Sequence, residues 1–461
     1  MPRITFTASE YQADGSIRPM RYAYAGSEAA GWEIERDGAM HLALGPGYRL
    51  LAVSHCGVCA TDLARRHLPF RLPQVTGHEV VARDETGAAV VVEINASHAA
   101  RGLPHDEWCA HCRAGLPTHC PDRLVLGIHD LPGGFGPWIL APVRAVRPLG
   151  DAIDVRTSAL VEPYAAALHA VRTIAPRAGE RIAVLGPGRL GTLVVAALAA
   201  VRAAEGPSFE IVVVGRRDDH LARARALGAD VTLRLDEAQR RPGAVDVVVE
   251  TTGSPDGLAL ALALATREVH VKSTTGQPTL GLRHLTELVV DEMSLVPLDA
   301  HLVSGETVVV ARSVGSATRR DLERGGGEIV PAADAATLPL GGADVAVVTS
   351  LDEVDAMIRP HAGVERGLVH ARGRIALASG RGADGPLASA VHERGLVVSS
   401  SRCGELDAAL ASLRDPRHGL GVRLGDALVH DLVPADRLAE AFARAGDGGT
   451  KVVVTQPGGH P

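Results

Sequence analysis

The chain has 461 residues, which is too long for one ordinary domain and predicts two or three. Its formal net charge of −7 is modest, and no segment concentrates lysine and arginine as a nucleic-acid-binding surface does. The amino-terminal residues lack the pattern of a secretion signal, and the longest apolar run, 193–201, is too short to span a bilayer. These features argue against nucleic-acid and membrane partners and predict a cytoplasmic protein.

The character of the sequence changes near residue 155. Residues 1–155 contain short β-type runs and little helical periodicity, which predicts an irregular, mostly β domain. From residue 156 onward, short apolar runs alternate with amphipathic helical patterns, as is typical of a parallel, doubly wound sheet. The predicted fold class is therefore α/β plus β.

Five of the six cysteines fall into two tight clusters. Six cysteines are too few for a disulfide scaffold in so long a chain, and in a reducing compartment such clusters favour metal binding. The first cluster contains Cys56 and Cys59, and it is followed by His78 and Glu79. Thiolate, imidazole and carboxylate are ligands that zinc accepts. Taken alone, a C-x-x-C pair is equally consistent with redox chemistry or with no function, and a single histidine is usually a surface or core residue.

A glycine-rich motif follows the first predicted strand of the second region. The run Arg181–Leu185 leads into Gly186-Pro187-Gly188-Arg189-Leu190-Gly191 and then into an apolar helix. In G-x-G-x-x-G the first glycine permits a tight turn, the second lets a pyrophosphate approach the backbone, and the third allows close packing of helix on strand. The amino terminus of the helix faces the phosphates. The motif predicts a dinucleotide-binding loop.

The end of the next predicted strand indicates which dinucleotide binds. An NAD site normally places an acidic residue there to bind the ribose hydroxyls. Here the strand ends in Gly215, Arg216 and Arg217, which leave room for a 2′-phosphate and offer guanidinium groups to it. Asp218 and Asp219 count against this interpretation unless they only cap the helix that begins there. We predict NADP, with NAD as the alternative.

Residues 299–398 carry a second stretch of alternating strand and helix patterns. The segment 306–330 aligns loosely with 210–231, and the later patterns follow in the same order, but the second copy lacks a first strand and a glycine loop. This indicates an inserted, incomplete Rossmann-like repeat; the alternative is a chance likeness between βα stretches of similar composition. We expect an α/β insertion that binds no dinucleotide and can be deleted without loss of cofactor affinity.

In this order, the metal-type residues, Glu162-Pro163 and the glycine motif resemble the medium-chain zinc-dependent alcohol dehydrogenases. The likeness is strongest to the sorbitol, threonine and glucose dehydrogenase branch, and it covers about 40–300 and 400–461. It implies a GroES-like, mostly-β catalytic domain at 1–155, completed by 402–461, and an NADP-binding, doubly wound Rossmann domain at 156–298. The insertion occupies 299–398, and 399–461 returns to the Rossmann edge and the catalytic domain.

The resemblance also implies roles for single residues. By it, Cys59, His78 and Glu162 bind a catalytic zinc, and Cys56 is a neighbour that does not bind the metal. Thr61 occupies the place of a hydroxyl that passes on the substrate proton.

Around these, Asp62 and Glu79 correspond to carboxylates that orient the zinc ligands. The family often has a histidine three residues after the threonine, to carry the proton outward, but this chain has Ala64 there. The outer part of the proton relay is therefore unassigned, and His67 is the candidate to replace that histidine.

The second cysteine cluster resembles the family's structural zinc lobe, in which four cysteines bind the metal. Cys109, Cys112 and Cys120 stand at the last three ligand positions, and Asp106 stands at the first. A Cys3Asp zinc site is predicted, because zinc accepts carboxylate oxygen. Three nearby histidines are alternative ligands: His105, His111 and His119. The other interpretation is that the lobe has lost its metal.

The function that follows is zinc-dependent hydride transfer between an alcohol and NADP, with Thr252 and Gly253 placed by the resemblance near the nicotinamide ribose. The substrate expected from this branch is a small polyol, sugar or amino alcohol. One alternative is an NADPH-dependent carbonyl reductase of a biosynthetic pathway, and another is a non-catalytic NADP-binding regulatory or assembly protein. We expect a homodimer or homotetramer.

Overall fold

The computed structural model describes residues 3–68, 70–206, 208–273, 278–299, 303–358, 367–378, 385–446 and 449–457. The chain divides into two compact units. The first unit comprises Met1–Ala165 and Cys403–Pro461, and the second comprises Ala166–Arg402. Within the described part of the chain, none of the helices combines the length and apolar character that crossing a membrane requires.

The first unit is mostly β structure, with short helices between and after the strands. Its strands are β1 (Arg3–Tyr11), β2 (Ile17–Ser27), β3 (Gly31–Arg36), β4 (Ala39–Leu44), β5 (Tyr48–Gly57), β6 (Glu79–Arg83), β7 (Ala89–Val92), β8 (Asn95–Ala96), β9 (Leu124–Leu126), β10 (Asp130–Leu131), β11 (Trp138–Pro142), β12 (Val146–Pro148), β24 (Val429–Pro434) and β25 (Lys451–Thr455). Its helices are α1 (Ala60–Leu63), α2 (Ala110–Arg113), α3 (Val155–Ser158), α13 (Leu406–Arg414), α14 (Leu420–Leu428) and α15 (Leu438–Gly446), and α4 (Val161–Ile174) runs on into the second unit.

Three sheets build this unit. β1 to β4 form an antiparallel meander, β8 to β10 form a small sheet, and the largest sheet has the order β12-β7-β6-β5-β25-β24 with β11 paired to β5. β25 lies antiparallel beside β5, and its Val453 and Val454 pair with Gly57 and Cys56. Scarce aromatic residues are concentrated in this core, where Tyr22, Tyr24 and Trp32 are buried.

The second unit contains one mixed sheet with helices in its crossovers. Its strands are β13 (Arg181–Leu185), β14 (Glu210–Gly215), β15 (Val231–Arg234), β16 (Val245–Glu250), β17 (Ala265–Val271), β18 (Ser294–Pro297), β19 (Thr307–Val310), β20 (Glu328–Val330), β21 (Ala343–Val348), β22 (Val369–Leu377) and β23 (Val397–Ser400). Its helices are α5 (Arg189–Glu205), α6 (Asp218–Ala226), α7 (Leu235–Gln239), α8 (Pro255–Leu264), α9 (Leu285–Val290), α10 (Ser316–Arg324), α11 (Leu351–Ile358) and α12 (Pro386–Arg394). The predicted fold class, α/β plus β, is confirmed.

The order of strands in this sheet is β15-β14-β13-β16-β17-β23-β18-β22-β21-β19-β20. The strands from β13 to β17 are parallel to their neighbours. The interiors of β13, β14 and β16 are apolar and buried, as is typical of sheets with helices on both faces. The chain runs outward from β13 through β14 and β15 and then returns to the other side of β13 at β16. That reversal creates a crevice at the carboxyl ends of β13 and β16, where ligands bind in folds of this kind.

The strands of 299–398 extend the same sheet. Their order, β20-β19-β21-β22, equals that of β15-β14-β16-β17 with the strand corresponding to β13 left out, so β19 pairs directly with β21. The last strands are placed differently: β18 lies beside β22, β23 lies beside β17, and β18 and β23 meet antiparallel.

Candidate metal centres and nucleotide loop

The first metal-type residues lie at the ends of two paired strands. β5 ends at Gly57 and β6 begins at Glu79, and these two residues pair across the strands. A Cβ atom at Gly57 would lie 2.1 Å from a carboxylate oxygen of Glu79, so only glycine permits this approach. Cys59 then caps α1, and His78 directly precedes β6. The strand pairing thus brings Cys59 and His78 together.

Three side chains converge at this point. The Sγ atom of Cys59, a ring nitrogen of His78 and a carboxylate oxygen of Glu79 all lie within 4.8 Å of one another. Cys56 is fully buried and is not part of this group; its Sγ atom lies 3.6 Å from the carbonyl oxygen of Gly57. Of the two cysteines in the C-x-x-C pair, Cys59 is therefore the one that faces the other donors.

Asp62 connects the two loops that carry these donors. Its carboxylate accepts hydrogen bonds from the backbone N–H groups of Cys59 (2.9 Å) and Gly77 (3.1 Å), and Oδ1 lies 3.6 Å from Nδ1 of His78. Burial opposes a charged imidazole, but the charges of Asp62 and Cys59 outweigh it and raise the pKa of His78 well above its usual value. Thr61 also lies in this loop, with Oγ1 3.7 Å from Cys59 Sγ. His67 is exposed and its ring accepts a hydrogen bond from Arg66.

Glu79 forms a buried ion pair that we did not predict. Both of its carboxylate oxygens accept hydrogen bonds from Nζ of Lys451, at 2.5 and 2.6 Å, and the Lys451 side chain is only 4% exposed. Lys451 begins β25, which pairs with β5. The rarity of lysine was the available signal, because the chain has only Lys272 and Lys451, and both are buried.

Glu162, predicted as the third ligand of the catalytic zinc, is the second residue of α4. Burial raises its pKa to about 7, while the charges of His78 and Lys451 lower it and that of Glu79 raises it further. Its carboxylate therefore lies within the electrostatic influence of the converging donors, but it is not one of the three whose ligand atoms lie within 4.8 Å. The geometry adds Glu79, predicted only as an orienting carboxylate, to the candidate ligands.

The second cysteine cluster also converges. One ligand atom each from Cys109, Cys112, Cys120 and His98 lies within 4.8 Å of the others. The Sγ atoms of Cys109 and Cys120 are 3.7 Å apart. In a tetrahedral zinc site with Zn–S bonds of about 2.3 Å, two sulfurs are separated by roughly 3.8 Å. The spacing and the donor types both fit a structural zinc ion.

The fourth member of this cluster is His98, and the prediction of Asp106 does not agree with the geometry. Asp106 is exposed in a short 3-10 turn and its carboxylate is not part of the group. β8 pairs antiparallel with β9, which carries His98 to the level of Cys120 and Asp122. Nδ1 of His98 lies 3.9 Å from Cys120 Sγ, and Nε2 lies 3.5 Å from a carboxylate oxygen of Asp122, which can orient the ring. The alternative ligands, His105, His111 and His119, are likewise outside the group.

The predicted dinucleotide loop has the expected shape. β13 ends at Leu185, and α5 begins at Arg189. Gly186 has a φ of +93°, and a Cβ atom on it would lie 2.7 Å from Thr252. A Cβ atom on Gly191 would lie 2.3 Å from the carbonyl oxygen of Gly186, whereas one on Gly188 would meet nothing within 4 Å. The first and third glycines are required by packing, and the middle one faces open space at the helix amino terminus.

The loop rests on the end of β16. Thr251 donates a hydrogen bond to the carbonyl oxygen of Gly186 at 2.7 Å. Thr252 and Gly253 follow, and the backbone N–H of Thr252 donates to the buried carboxylate of Glu250 at 2.6 Å. A hydroxyl residue at position 251 therefore holds the glycine loop against the neighbouring strand.

The cluster after β14 contains two ion pairs. Arg217 donates two hydrogen bonds to Asp219, at 3.0 and 2.7 Å, and Arg234 pairs with Asp218 at 2.5 Å. Arg216 is exposed, and its guanidinium makes no hydrogen bond or ion pair to the described residues. The charges of both aspartates are thus balanced by arginines, and the Arg216 guanidinium is available to bind a phosphate. Packing also favours glycine at position 215, because a Cβ atom there would lie 2.9 Å from the Pro187 side chain.

At the corresponding strand ends of 299–398, polar groups hydrogen-bond to one another. At the carboxyl ends of β19 and β21, Ser313 donates a hydrogen bond to Glu353 at 2.6 Å, and the backbone N–H of Thr349 donates to the same carboxylate at 2.8 Å. Thr349 also donates to Ser313 at 2.8 Å. The Glu353 carboxylate therefore already accepts the hydrogen bonds that a bound anion would need at these strand ends.

Two comparisons of sequence agree with this geometry. The profile of the alcohol dehydrogenase GroES-like domain matches residues 45–151. L-galactonate-5-dehydrogenase of Escherichia coli (strain K12) is 30% identical over 186 residues, 39% of this chain and 52% of that protein. (R,R)-butanediol dehydrogenase of Bacillus subtilis (strain 168) is 29% identical over 242 residues, 48% of this chain and 68% of that protein. The chain thus spans about half the length of the first of these relatives.

Solved structures share the fold along almost the whole chain. 2R,3R-butanediol dehydrogenase from Bacillus subtilis has a TM-score of 0.53 at 18% identity and covers 98% of this chain and 99% of its own. A zinc-binding dehydrogenase from Sinorhizobium meliloti 1021, solved with NADP bound, has the same values.

A GroES-like domain combined with a Rossmann-type sheet defines the class of medium-chain dehydrogenases. The chain is similar to medium-chain alcohol dehydrogenases, and the relatives that it matches are of the sorbitol and threonine dehydrogenase-like branch. The resemblance predicted from the motifs is confirmed.

Proposed function

We propose that the chain is a zinc-dependent oxidoreductase that transfers hydride between a hydroxylated small molecule and NADP. The observation that carries the proposal is the convergence of Cys59, His78 and Glu79 within 4.8 Å. The donor set fits zinc, and Nδ1 of His78 is buried without a hydrogen-bond partner among the described residues. The names of the relatives, a galactonate and a butanediol dehydrogenase, support a substrate with more than one hydroxyl group.

Each group of residues has a separate task in this proposal. Cys59 and His78 hold the catalytic metal together with a carboxylate, either Glu162 as the resemblance implies or Glu79 as the geometry favours. Asp62 keeps the two metal-binding loops in register through its bonds to both. Thr61 would relay the proton of the substrate hydroxyl, with Oγ1 accepting that proton while its own hydroxyl proton passes on towards solvent. When bound, zinc supplies Lewis-acid polarisation and the nicotinamide supplies or accepts hydride.

The nucleotide is held by residues of the second unit. We propose that the backbone N–H groups at 188–191 bind the pyrophosphate, since Gly188 leaves open space there. Thr252 and Gly253 border the loop and would contact the ribose on the nicotinamide side. The structural lobe, with Cys109, Cys112, Cys120 and His98, would hold a second zinc ion.

The test is to measure metal and turnover on the purified full chain. We expect about two zinc ions per chain by elemental analysis. We also expect NADPH formation with some members of a panel of polyols, amino alcohols and simple alcohols, and the reverse reaction with the matching carbonyl compounds. Nucleotide binding without turnover of any alcohol or carbonyl compound would instead favour the non-catalytic regulator. Sedimentation would test the predicted homodimer or homotetramer.

Cofactor choice is tested by removing the available guanidinium. The substitution Arg216→Ala should raise the KM for NADP about tenfold or more, because a charge-assisted hydrogen bond to a phosphate contributes about 1.5–3 kcal/mol. The KM for NAD should change little, since NAD has no 2′-phosphate. Arg217→Ala is the matched control: Arg217 is already paired with Asp219, so its loss should have a smaller effect. Equal effects of Arg216→Ala on both cofactors would contradict NADP preference.

A further inference from the structure

The sheet of the second unit has two halves, a nucleotide half (181–271) and an extended half (303–398). The last strands of these two halves have exchanged places. β18 follows β17 in the chain, yet it pairs with β22. β23 follows β22 in the chain, yet it pairs with β17. Each exchanged strand is parallel to the strand that it pairs with in the other half. β18 and β23 lie side by side at the centre of the sheet and are antiparallel, with Leu295 paired to Val398. This is the topology of a domain swap, here within a single chain.

In the nucleotide half, buried polar side chains of β17 form a row of hydrogen bonds to β23. Glu268, His270 and Lys272 alternate along one face of β17 and at its end, and Ser399 and Ser401 face them from β23 and its end. The ring of His270 bonds Ser399 through Nδ1 at 2.7 Å and Ser401 through Nε2 at 2.8 Å. Ser399 also donates to Glu268, and Lys272 donates to the carbonyl oxygen of Ser401 at 2.8 Å. Removing β23 would take both hydrogen bonds from the buried His270 ring and one or more from Glu268 and Lys272, and a buried polar group left unsatisfied costs about 1–3 kcal/mol.

A second set of contacts fixes the entry of β18. Glu292, just before β18, accepts hydrogen bonds from His169 (2.9 Å), from the Arg372 side chain (2.8 Å) and from the backbone N–H of Arg402 (2.8 Å). Its carboxyl is nearly fully buried, and these donors outweigh the effect of burial and hold its pKa far below the usual value. One carboxylate therefore joins α4, the approach to β18, a residue of β22 and the end of the second unit.

The hydrophobic core and one helix end join the halves as well. One continuous apolar cluster runs from residues of β13 and β14 to residues of β21 and β22. Arg394, the last residue of α12, donates hydrogen bonds to the carbonyl oxygens of Leu262 (2.8 Å) and Ala265, at the carboxyl end of α8. α12 belongs to the extended half and α8 to the nucleotide half, so this arginine caps a helix of the other half.

We propose that the nucleotide half, 181–271, and the extended half, 303–398, form one cooperative folding unit, so that a nucleotide bound to the first half stabilises the second. The coupling to nucleotide rests on the proposed function, whereas the cooperativity does not. Deletion of 299–398, expected above to leave cofactor affinity intact, would remove two residues of β23 and the strand that receives β18. It should instead unfold the nucleotide half.

The cooperativity is tested without nucleotide, by hydrogen exchange of the full chain at increasing urea concentrations. Amides of β13 to β17 and of β19 to β22 should lose protection at the same urea midpoint. Arg394→Ala should lower that midpoint in both halves equally. The control is Arg324→Ala, because Arg324 is exposed and pairs only within α10, with Asp321; it should leave the midpoint unchanged. Separate midpoints, or a shift confined to one half, would overturn the proposal.

The coupling is tested on the unsubstituted chain with NADP. At a hundredfold excess over Kd, amides that exchange through opening of the whole unit should exchange about a hundredfold more slowly. This slowing should appear in β21 and β22 as strongly as in β13 and β16. Slowing confined to 181–271 would overturn the coupling. If NADP does not bind at all, the proposed function fails, and the urea experiment still decides the cooperativity.

Discussion

The Cys59→Ser chain is expected to lose one of the two zinc ions that we propose, together with nearly all of the proposed dehydrogenase activity. Cys59 is the only thiol in the converging group, and a serine hydroxyl is a much poorer zinc ligand than a thiolate. Lewis-acid stabilisation of the transition state contributes about 4 kcal/mol, and each 1.4 kcal/mol or so is a tenfold change in rate. We therefore expect kcat/KM to fall by about a thousandfold, measured together with zinc content.

Cys56→Ser is the matched control for this experiment. Cys56 is three residues away, fully buried and outside the converging group, so this substitution should leave zinc content unchanged. The reverse result, with metal lost from the Cys56 variant and kept by the Cys59 variant, would refute the assignment. Glu79→Gln and Glu162→Gln then separate the two candidate carboxylates, because only the true ligand should reduce zinc content as Cys59→Ser does.

The second large effect is expected from Lys451→Met. Lys451 and Glu79 form an ion pair that is almost completely buried, so removal of the ammonium leaves a carboxylate buried without its counter-charge. Breaking such a pair costs about 3–5 kcal/mol of stability. The free energy of unfolding of the first unit, measured from hydrogen exchange of β5 and β25 in urea, should fall by that amount. The zinc content of the Lys451→Met chain should fall as well if Glu79 binds the zinc.

Two further variants make the Lys451 result specific. Lys451→Met combined with Glu79→Gln should recover much of the lost stability, because no charge is then left buried. Arg444→Met removes an exposed arginine of the same unit that pairs with Glu440 and Asp431, and it should cost about 1 kcal/mol, well below the loss expected for Lys451→Met. If the double variant is no more stable than Lys451→Met alone, the loss arises from the lysine's packing and not from its charge.

Local spacing was enough to predict the parts of the sites that depend on neighbouring residues. Cys59 and His78 were assigned as zinc ligands through the resemblance to a known family. The glycine loop at 186–191 joins one strand to the next helix, so its pattern is visible over a few residues. The same applies to Gly215 and Arg216, at the end of β14. These predictions needed only the period of the elements and the chemistry of the side chains.

The parts that could not be predicted depend on the pairing of distant segments. His98 replaces Asp106 because β8 pairs with β9, a register that the spacing of the cysteines does not contain. Lys451 reaches Glu79 from the other end of the chain. The exchange of β18 and β23 was also invisible, because each strand has only four residues and so short a run does not specify its partner in a sheet.

The burial of both lysines makes this protein unusual towards amine chemistry. The chain has no other ε-amino groups, and Lys272 and Lys451 lie 7% and 3% exposed in different units. Acylating dyes and lysine-directed cross-linkers will therefore find almost no reactive side chain on the folded molecule. Each lysine becomes a label for the opening of its own unit: modification at 451 reports on the first unit and modification at 272 on the second, and a single digest resolves the two rates.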